Sequence, residues 1–247
     1  MIGCSIGLTR GGGGGGVGAA AWSPALLSGK LLWLRGDVGV QLSAGKVVQW
    51  NDQSGLGNHV SALGAGSTQP IQATWAAGLN APACYFDGND RLATVGNILP
   101  TADGSGVTTF FIGDFIDTAA RCPYISSGTS GGFGLSQNAG GDLKIERWKV
   151  GVAFDSDGPA RTSPLNVVMV DTVGAVAAST MHVNGALVAT TTPGGAILTP
   201  TGRAFVGAAG SIFYHKGIIG ELLVLNGRAS PATIAFWNAY TLNRYGV

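Results

Sequence analysis

The chain has 247 residues, of which 45% are hydrophobic and only 11% charged, and glycine accounts for 42. That is ample apolar material for one core and too much for a solvated, disordered chain. Fourteen Lys and Arg stand against 13 Asp and Glu, and a net charge of +1 gives no electrostatic footprint for DNA or RNA.

Residues 1–21 open with a small apolar peptide in which Ile2, Ile6 and Leu8 alternate, followed by Gly11–Gly16. One reading is a terminus without fixed structure. The other is an anchor, Met1, Ile2, Ile6, Leu8 and Arg10, that docks into a larger partner on a glycine leash. The tract satisfies GxGxxG trivially but lacks the strand–turn–helix setting of a dinucleotide loop. Met1–Thr9 has no basic leading region, so no secretory signal is expected, and no apolar run reaches the roughly 18 residues of a membrane span.

A single domain is expected over 22–247. Leu31–Arg35 and Lys46–Trp50 read as strands, with turns at Gly36-Asp37 and Ser43–Gly45. Trp50 to Ala62 is dense in Asn, Asp, Ser and Gly, residues that brace loops with their own side chains. Residues 64–82 read as a Gly/Ala/Pro-rich connection. Strands follow at Cys84–Phe86, Arg91–Val95, Thr108–Phe115, Tyr124–Ser127, Phe133–Ser136, Leu143–Trp148, Val152–Phe154 and Leu165–Val173. Thr180–Val183 and Ala186–Thr192 form a hairpin around Asn184-Gly185. Arg203–Gly207 leads through Tyr214–Lys216 to an apolar strand, Ile218–Leu225, that carries one charge at Glu221. Asn226-Gly227 breaks that strand, Ser230 caps a helix with Pro231 in its first position, and Gly246 ends it. Ile234, Trp237, Tyr240 and Thr241 fall near one helical face, with Phe236 beside them. Many short strands with regular turn signals and one terminal helix predict an all-β sandwich or jelly roll.

The segments WNDQSGLGNHVSA, YFDGNDRL, MHVNGALVAT and GIIGELLVLNGRASPATIAFWNAYTLNRYG, in that order, resemble concanavalin A-like (laminin-G-like) jelly-roll domains, most of all those of bacteriophage virion proteins and bacterial surface proteins. The resemblance covers roughly residues 30–247. The front end is similar to the N-terminal anchors of phage fibre and decoration proteins. The resemblance implies a two-sheet fold and often glycan binding, sometimes with calcium; fold alone does not give function.

Hydrolysis of a glycosidic bond needs paired carboxylates. The chain has two glutamates, Glu146 and Glu221, and neither has a carboxylate at the E-x-D-x-x-E spacing of the glucanases with this fold, so no catalytic residue is assigned. Gly128–Gly132 matches GxSxG, but in a Gly-rich β context. His59, His182 and His215 show no ligand spacing; His182 reads as structural, His59 and His215 as surface loop residues. Cys4, Cys84 and Cys122 have no metal-type spacing, Cys84 reads as a buried hydrophobe, and a reducing cytoplasm suits all three. A calcium ion would be sought at Asp87 and Asp90 first, with Asn51, Asp52 and Asn58 as the other cluster; the expectation is that both clusters brace turns and that no cofactor or metal is needed. Trp75, Trp148 and Tyr214 are the candidates for stacking on a sugar ring, while Trp33, Trp50 and Trp237 belong to the core.

The sequence therefore predicts a non-enzymatic virion protein (a capsid decoration, short head fibre or tail appendage) attached to capsid or tail proteins through its arm. It would be made in the host cytoplasm, displayed on the virion surface, and assembled as a homo-oligomer such as a trimer. The alternative is a glycan-binding host-adhesion protein; a glycoside hydrolase is a distant third.

Overall fold

The computed structural model describes residues 22–63, 68–99, 106–115, 125–126, 132–137, 142–149, 152–160, 165–172, 178–191, 202–209 and 213–247. The first strands are β1 (Lys30–Arg35), β2 (Val40–Ser43), β3 (Lys46–Trp50), β4 (Val60–Ala62), β5 (Ile71–Trp75), β6 (Ala81–Asp87) and β7 (Leu92–Ala93). Then come β8 (Gly106–Phe115), β9 (Ile125–Ser126), β10 (Gly132–Gln137), β11 (Asp142–Lys149), β12 (Val152–Ala160), β13 (Leu165–Thr172), β14 (Ser179–Val183) and β15 (Ala186–Thr191). The short β16 (Phe205–Val206), β17 (Ala208–Ala209) and β18 (Phe213–Tyr214) precede β19 (Lys216–Asn226) and the helix α1 (Pro231–Tyr245). Seventeen of these strands join in one hydrogen-bonded ladder, antiparallel at each described pairing.

β19 is the centre of that ladder. One of its edges pairs with β8 from Gly217 to Asn226. The other pairs first with β6, through Lys216–Ile219, and then with β1, through Glu221–Leu225. The register shifts between Ile219 and Glu221, where the Gly220 carbonyl accepts the Gly36 N–H at 2.9 Å. An extra residue in a strand reverses the face of everything after it. Ile219, Leu222 and Val224 thus face one apolar cluster with Leu32, Leu34, Trp50, Phe86, Phe111 and Val167. Leu223 and Leu225 face a second cluster, with Trp33, Phe110, Ile112, Val168 and Val170. Without the shift Glu221 would point into the first cluster; with it, the carboxylate lies beneath α1.

The helix follows its sequence signals. Ser230 Oγ accepts the Thr233 N–H, Pro231 occupies the first turn, and Gly246 closes the helix at φ 74°. Ile234, Trp237, Thr241 and Tyr245 are its buried residues; Ile234, Trp237 and Tyr245 complete the second cluster, with the Trp237 ring 4.8 Å from that of Phe110. At roughly 1.5–3 kcal/mol per large buried side chain, this face is what holds the helix on the sheet.

Three sequence readings are corrected. The 64–82 connection contains β5, which pairs with β6 from Ile71 to Trp75. Ser43, assigned from sequence to a Ser43–Gly45 turn, instead ends a strand, Val40–Ser43, hairpinned to β3 through Ala44 and Gly45, both at positive φ. His215 is 0% exposed rather than a surface residue. It packs 5.8 Å from the Phe86 ring and donates its backbone N–H to Gly207. Burial depresses its pKa to about 3, so the imidazole is neutral at ordinary pH. Among the described residues no helix is long and apolar enough to cross a membrane.

Candidate binding groove

Two buried polar clusters fix α1 on the sheet. In the first, Glu221 is 0% exposed and its carboxylate accepts Trp33 Nε1–H at 2.7 Å, Tyr245 O–H at 2.7 Å and Tyr240 O–H at 3.0 Å. Arg244 Nε lies 3.8 Å away, and the same guanidinium pairs with Asp37 at 2.6 Å, which also binds Arg35 at 2.8 Å. Desolvation raises the Glu221 pKa, against the opposing pull of these donors. For Asp37 desolvation is outweighed by its hydrogen bonds to Arg244 and Arg35, and the carboxyl is held below its ordinary value.

In the second cluster Asn166, on β13 and 1% exposed, ties strand, hairpin and helix together. Its Oδ1 accepts Trp237 Nε1–H at 2.7 Å, and its Nδ2 donates to Asn238 Oδ1 and to Thr241 Oγ1, both at 3.0 Å. Its backbone N–H and C=O both bond Asn184 at the hairpin turn. The chain of donors is forced: an indole N–H can only donate, so Asn166 must offer it the amide oxygen, and Asn238 must then offer Asn166 its own. The Asn238 NH2 group is left facing the Asn184-Gly185 turn, where a β carbon on Gly185 would sit 3.5 Å from Nδ2.

Between the first turns of α1 and the β14–β15 hairpin lies an open groove of about 420 Å³. Val170 and Ile234 form its apolar floor. Thr180 and His182 of β14, Gly185 and Leu187 line one wall; Arg228, Ala229, Pro231, Ala235 and Asn238 line the other. Desolvation lowers the His182 pKa, so its neutral ring offers one donor and one acceptor. Arg228 Nη2 donates to the Ala178 carbonyl at 3.1 Å, and its stem lies across Gly106, where a β carbon would stand 2.5 Å from Arg228 Cγ. Apolar surface beside a few fixed polar groups suits a small polyhydroxylated ligand.

The residues singled out from sequence lie elsewhere. Trp75 is 2% exposed, its ring against Tyr245 and Gly78, and has no face free for a sugar. Tyr214 is half-buried on β18, paired with Ala208. The side chain of Trp148 is outside the described part of the structure, as are Met1, Ile2, Ile6, Leu8 and Arg10, the 127–131 stretch of the GxSxG match, Cys4 and Cys122. Cys84 is buried and its thiol pKa raised. Trp33, Trp50 and Trp237 are in the core. Asp52 braces its loop, accepting from the backbone N–H groups of Trp33, Ser54 and Asn58 and from Ser54 Oγ, so its oxygens are committed to protein donors. Asp90 Oδ2 accepts the Asp87 N–H at 2.8 Å in the second loop, and Asp87 Oδ1 accepts the Asn89 N–H at 3.1 Å. Among the described residues no three His, Cys, Asp or Glu side chains gather as a metal ion would require. Sequence reasoning missed Asn166, Asn238 and Arg228. The available signal was Asn166 itself, a lone amide inside an otherwise apolar strand.

No family profile matches the chain, and no curated protein matches it in sequence. Solved structures share its fold. The binding domain of Paraclostridial Mosquitocidal Protein 1 superposes with a TM-score of 0.57 at 11% identity, over 87% of this chain and 53% of that one. A structure of botulinum neurotoxin type C, which depends on two ganglioside molecules to get into cells, gives 0.60 at 11% identity over 86% and 51%. Domain 4 of an extracellular arabinanase from Geobacillus stearothermophilus, solved with arabinotriose, gives 0.59 at 12% identity over 83% of this chain and 96% of that domain. The chain spans about half the length of the first two. At such identities the likeness is one of fold.

Proposed function

We propose that this chain is a non-enzymatic, glycan-binding domain of concanavalin A-like, two-sheet jelly-roll architecture, and that its ligand occupies the groove between α1 and the β14–β15 hairpin. The observation that carries this reading is the groove itself, an apolar floor with a donor, the Asn238 amide, held in place by a fully engaged buried asparagine. The fold it shares with a domain solved with arabinotriose supports it. Binding is preferred to hydrolysis because Glu221 is buried and committed to three donors. The test is a glycan screen followed by titration of the best ligand against Ala235→Trp, which fills the groove from an exposed helix position. Binding that disappears in this variant at unchanged melting temperature supports the reading; no saccharide bound, or equal binding by the variant, refutes it.

A virion role is the second reading, favoured by the apolar peptide and glycine tract of residues 1–16. On it the arm attaches the domain to capsid or tail proteins at the virion surface, and a homo-oligomer, a trimer for instance, multiplies a weak glycan contact into useful avidity. Cosedimentation with particles lacking the protein tests it: the full chain should bind and a chain without residues 1–16 should not.

A further inference from the structure

We propose that the groove selects a saccharide bearing a carboxylate, with Arg228 at the carboxylate and Asn238, Thr180 and His182 at the hydroxyls. The inference rests on the glycan-binding reading and adds the class of sugar. Among the described residues that line the groove there is one formal charge, the Arg228 guanidinium, and no acid. The chain as a whole is almost neutral, so this positive character is local. One of the five guanidinium N–H groups goes to the Ala178 carbonyl. That bond and the packing of the stem over Gly106 fix the side chain and leave a fork of donors for a planar anion. The same mouth of the groove holds Pro231, the first residue of a 15-residue helix with no acidic side chain in its first turn. A helix start normally attracts acidic residues, and here its partial positive charge adds to that of Arg228.

The rest of the groove suits the body of a sugar. Leu187 is 58% exposed and, with Ala235 and Pro231, offers an apolar surface to ring C–H groups. The Asn238 amide, the Thr180 hydroxyl and the neutral His182 imidazole supply donors and an acceptor at the rim. A neutral sugar would use those contacts and leave Arg228 solvated. A uronic or sialic acid would use both.

The test is calorimetric titration of the full chain with four ligands: sialyllactose and lactose, trigalacturonate and its methyl ester. The expected result is that at least one acidic ligand binds about tenfold more tightly than its neutral counterpart, with the preference shrinking as salt is added. Which acid wins tells a sialic from a uronic site. Arg228→Gln, a substitution at an exposed position, should abolish the preference, so that the acidic ligand binds no more tightly than its neutral counterpart. Equal binding of acidic and neutral partners, or a preference that survives Arg228→Gln, overturns the proposal and leaves the glycan-binding reading standing. Binding of none of the four, together with an empty glycan screen, overturns both.

Discussion

Replacing Glu221 probes the joint between helix and sheet. Its carboxylate takes three hydrogen bonds of 2.7–3.0 Å, those from Trp33 and Tyr245 buried and that from Tyr240 part-buried. A hydrogen bond to a charged acceptor contributes about 1.5–3 kcal/mol, and a stranded buried donor costs about 1–3 kcal/mol. Tyr245→Phe removes one such bond and should cost roughly 2 kcal/mol. Glu221→Gln keeps the shape and one carbonyl oxygen but meets the two phenols with an amide, and should cost about 2–4 kcal/mol. Glu221→Leu strands Trp33, Tyr240 and Tyr245 together and should cost about 4–6 kcal/mol. The competing effect is the desolvation of the carboxylate itself, which can make an apolar replacement of a buried charge neutral or stabilising. Here the donors should win, because Arg244 keeps Asp37 when Glu221 is lost, so no cation is abandoned. The pH dependence isolates the charge. A carboxyl whose folded pKa is raised contributes stability that is complete below its unfolded value, near 4.3, and is lost as pH rises through the folded value. Urea denaturation between pH 4 and 8, followed by circular dichroism, should show a steeper fall in the wild type than in Glu221→Gln, which keeps only the part owed to other raised carboxyls, Asp90 among them. At this chain length each kcal/mol shifts the melting point by roughly 2–4 °C. A Leu variant as stable as wild type, or parallel pH curves for wild type and Gln, would refute the reasoning.

Three further outcomes follow from the geometry. Asp52→Ala removes four hydrogen bonds from the 50–59 loop and should destabilise the protein by about 2–4 kcal/mol, with hydrogen exchange rising at Ser54 and Asn58 first. Asp90 is pushed up to about 6 by burial, which outweighs the hydrogen bond it accepts from the Asp87 N–H, with the Asp87 carboxylate adding to the rise, so its contribution is complete below about pH 4 and lost as pH rises past 6. Asp90→Asn should therefore stabilise by about 1–2 kcal/mol at pH 7, after allowing for solvent screening at the exposed Asp87, and change little at pH 4; equal effects at both pH values would count against it. Gly113→Ala places a β carbon 2.2 Å from the Ile218 carbonyl in the central β8–β19 pair and should abolish soluble expression, whereas Gly45→Ala, with open space around it, should cost only about 1 kcal/mol of backbone strain.

What the sequence made legible was local. Ser230, Pro231, the spacing of Ile234, Trp237 and Thr241, and Gly246 each act within a turn or two, and the helix stands where they place it. Asn184-Gly185 likewise turns its hairpin, both residues at positive φ. What stayed hidden depends on partners far along the chain. β5 reads as linker because Gln72 and Ala73 carry little strand signal; it is a strand because β6 pairs with it along its whole length. His215 looks like a loop residue until Gly207 and Phe86 close over it. Trp75 sits in loop-like, alanine- and glycine-rich sequence, yet in space it packs within the second apolar cluster. The groove was invisible for the same reason: Asn166 and Asn238 are 72 residues apart, and neither has a motif around it.

The two clusters under α1 bear on the groove as much as on stability. Glu221 fastens the C-terminal half of the helix through Tyr240 and Tyr245, and Asn166 fastens its middle through Trp237, Asn238 and Thr241. Because the Asn166 main chain also holds Asn184, the same residue sets the distance between the helix and the hairpin turn that faces it. Both walls of the groove are thus referred to one buried residue on β13, whose neighbours Val168 and Val170 lie in the apolar layer beneath. A ligand that enters need not order either wall, so little of its contact energy is spent on rearranging the protein. That rigidity suits a binding site, and it comes from burying polar side chains in a layer where each has found its partner.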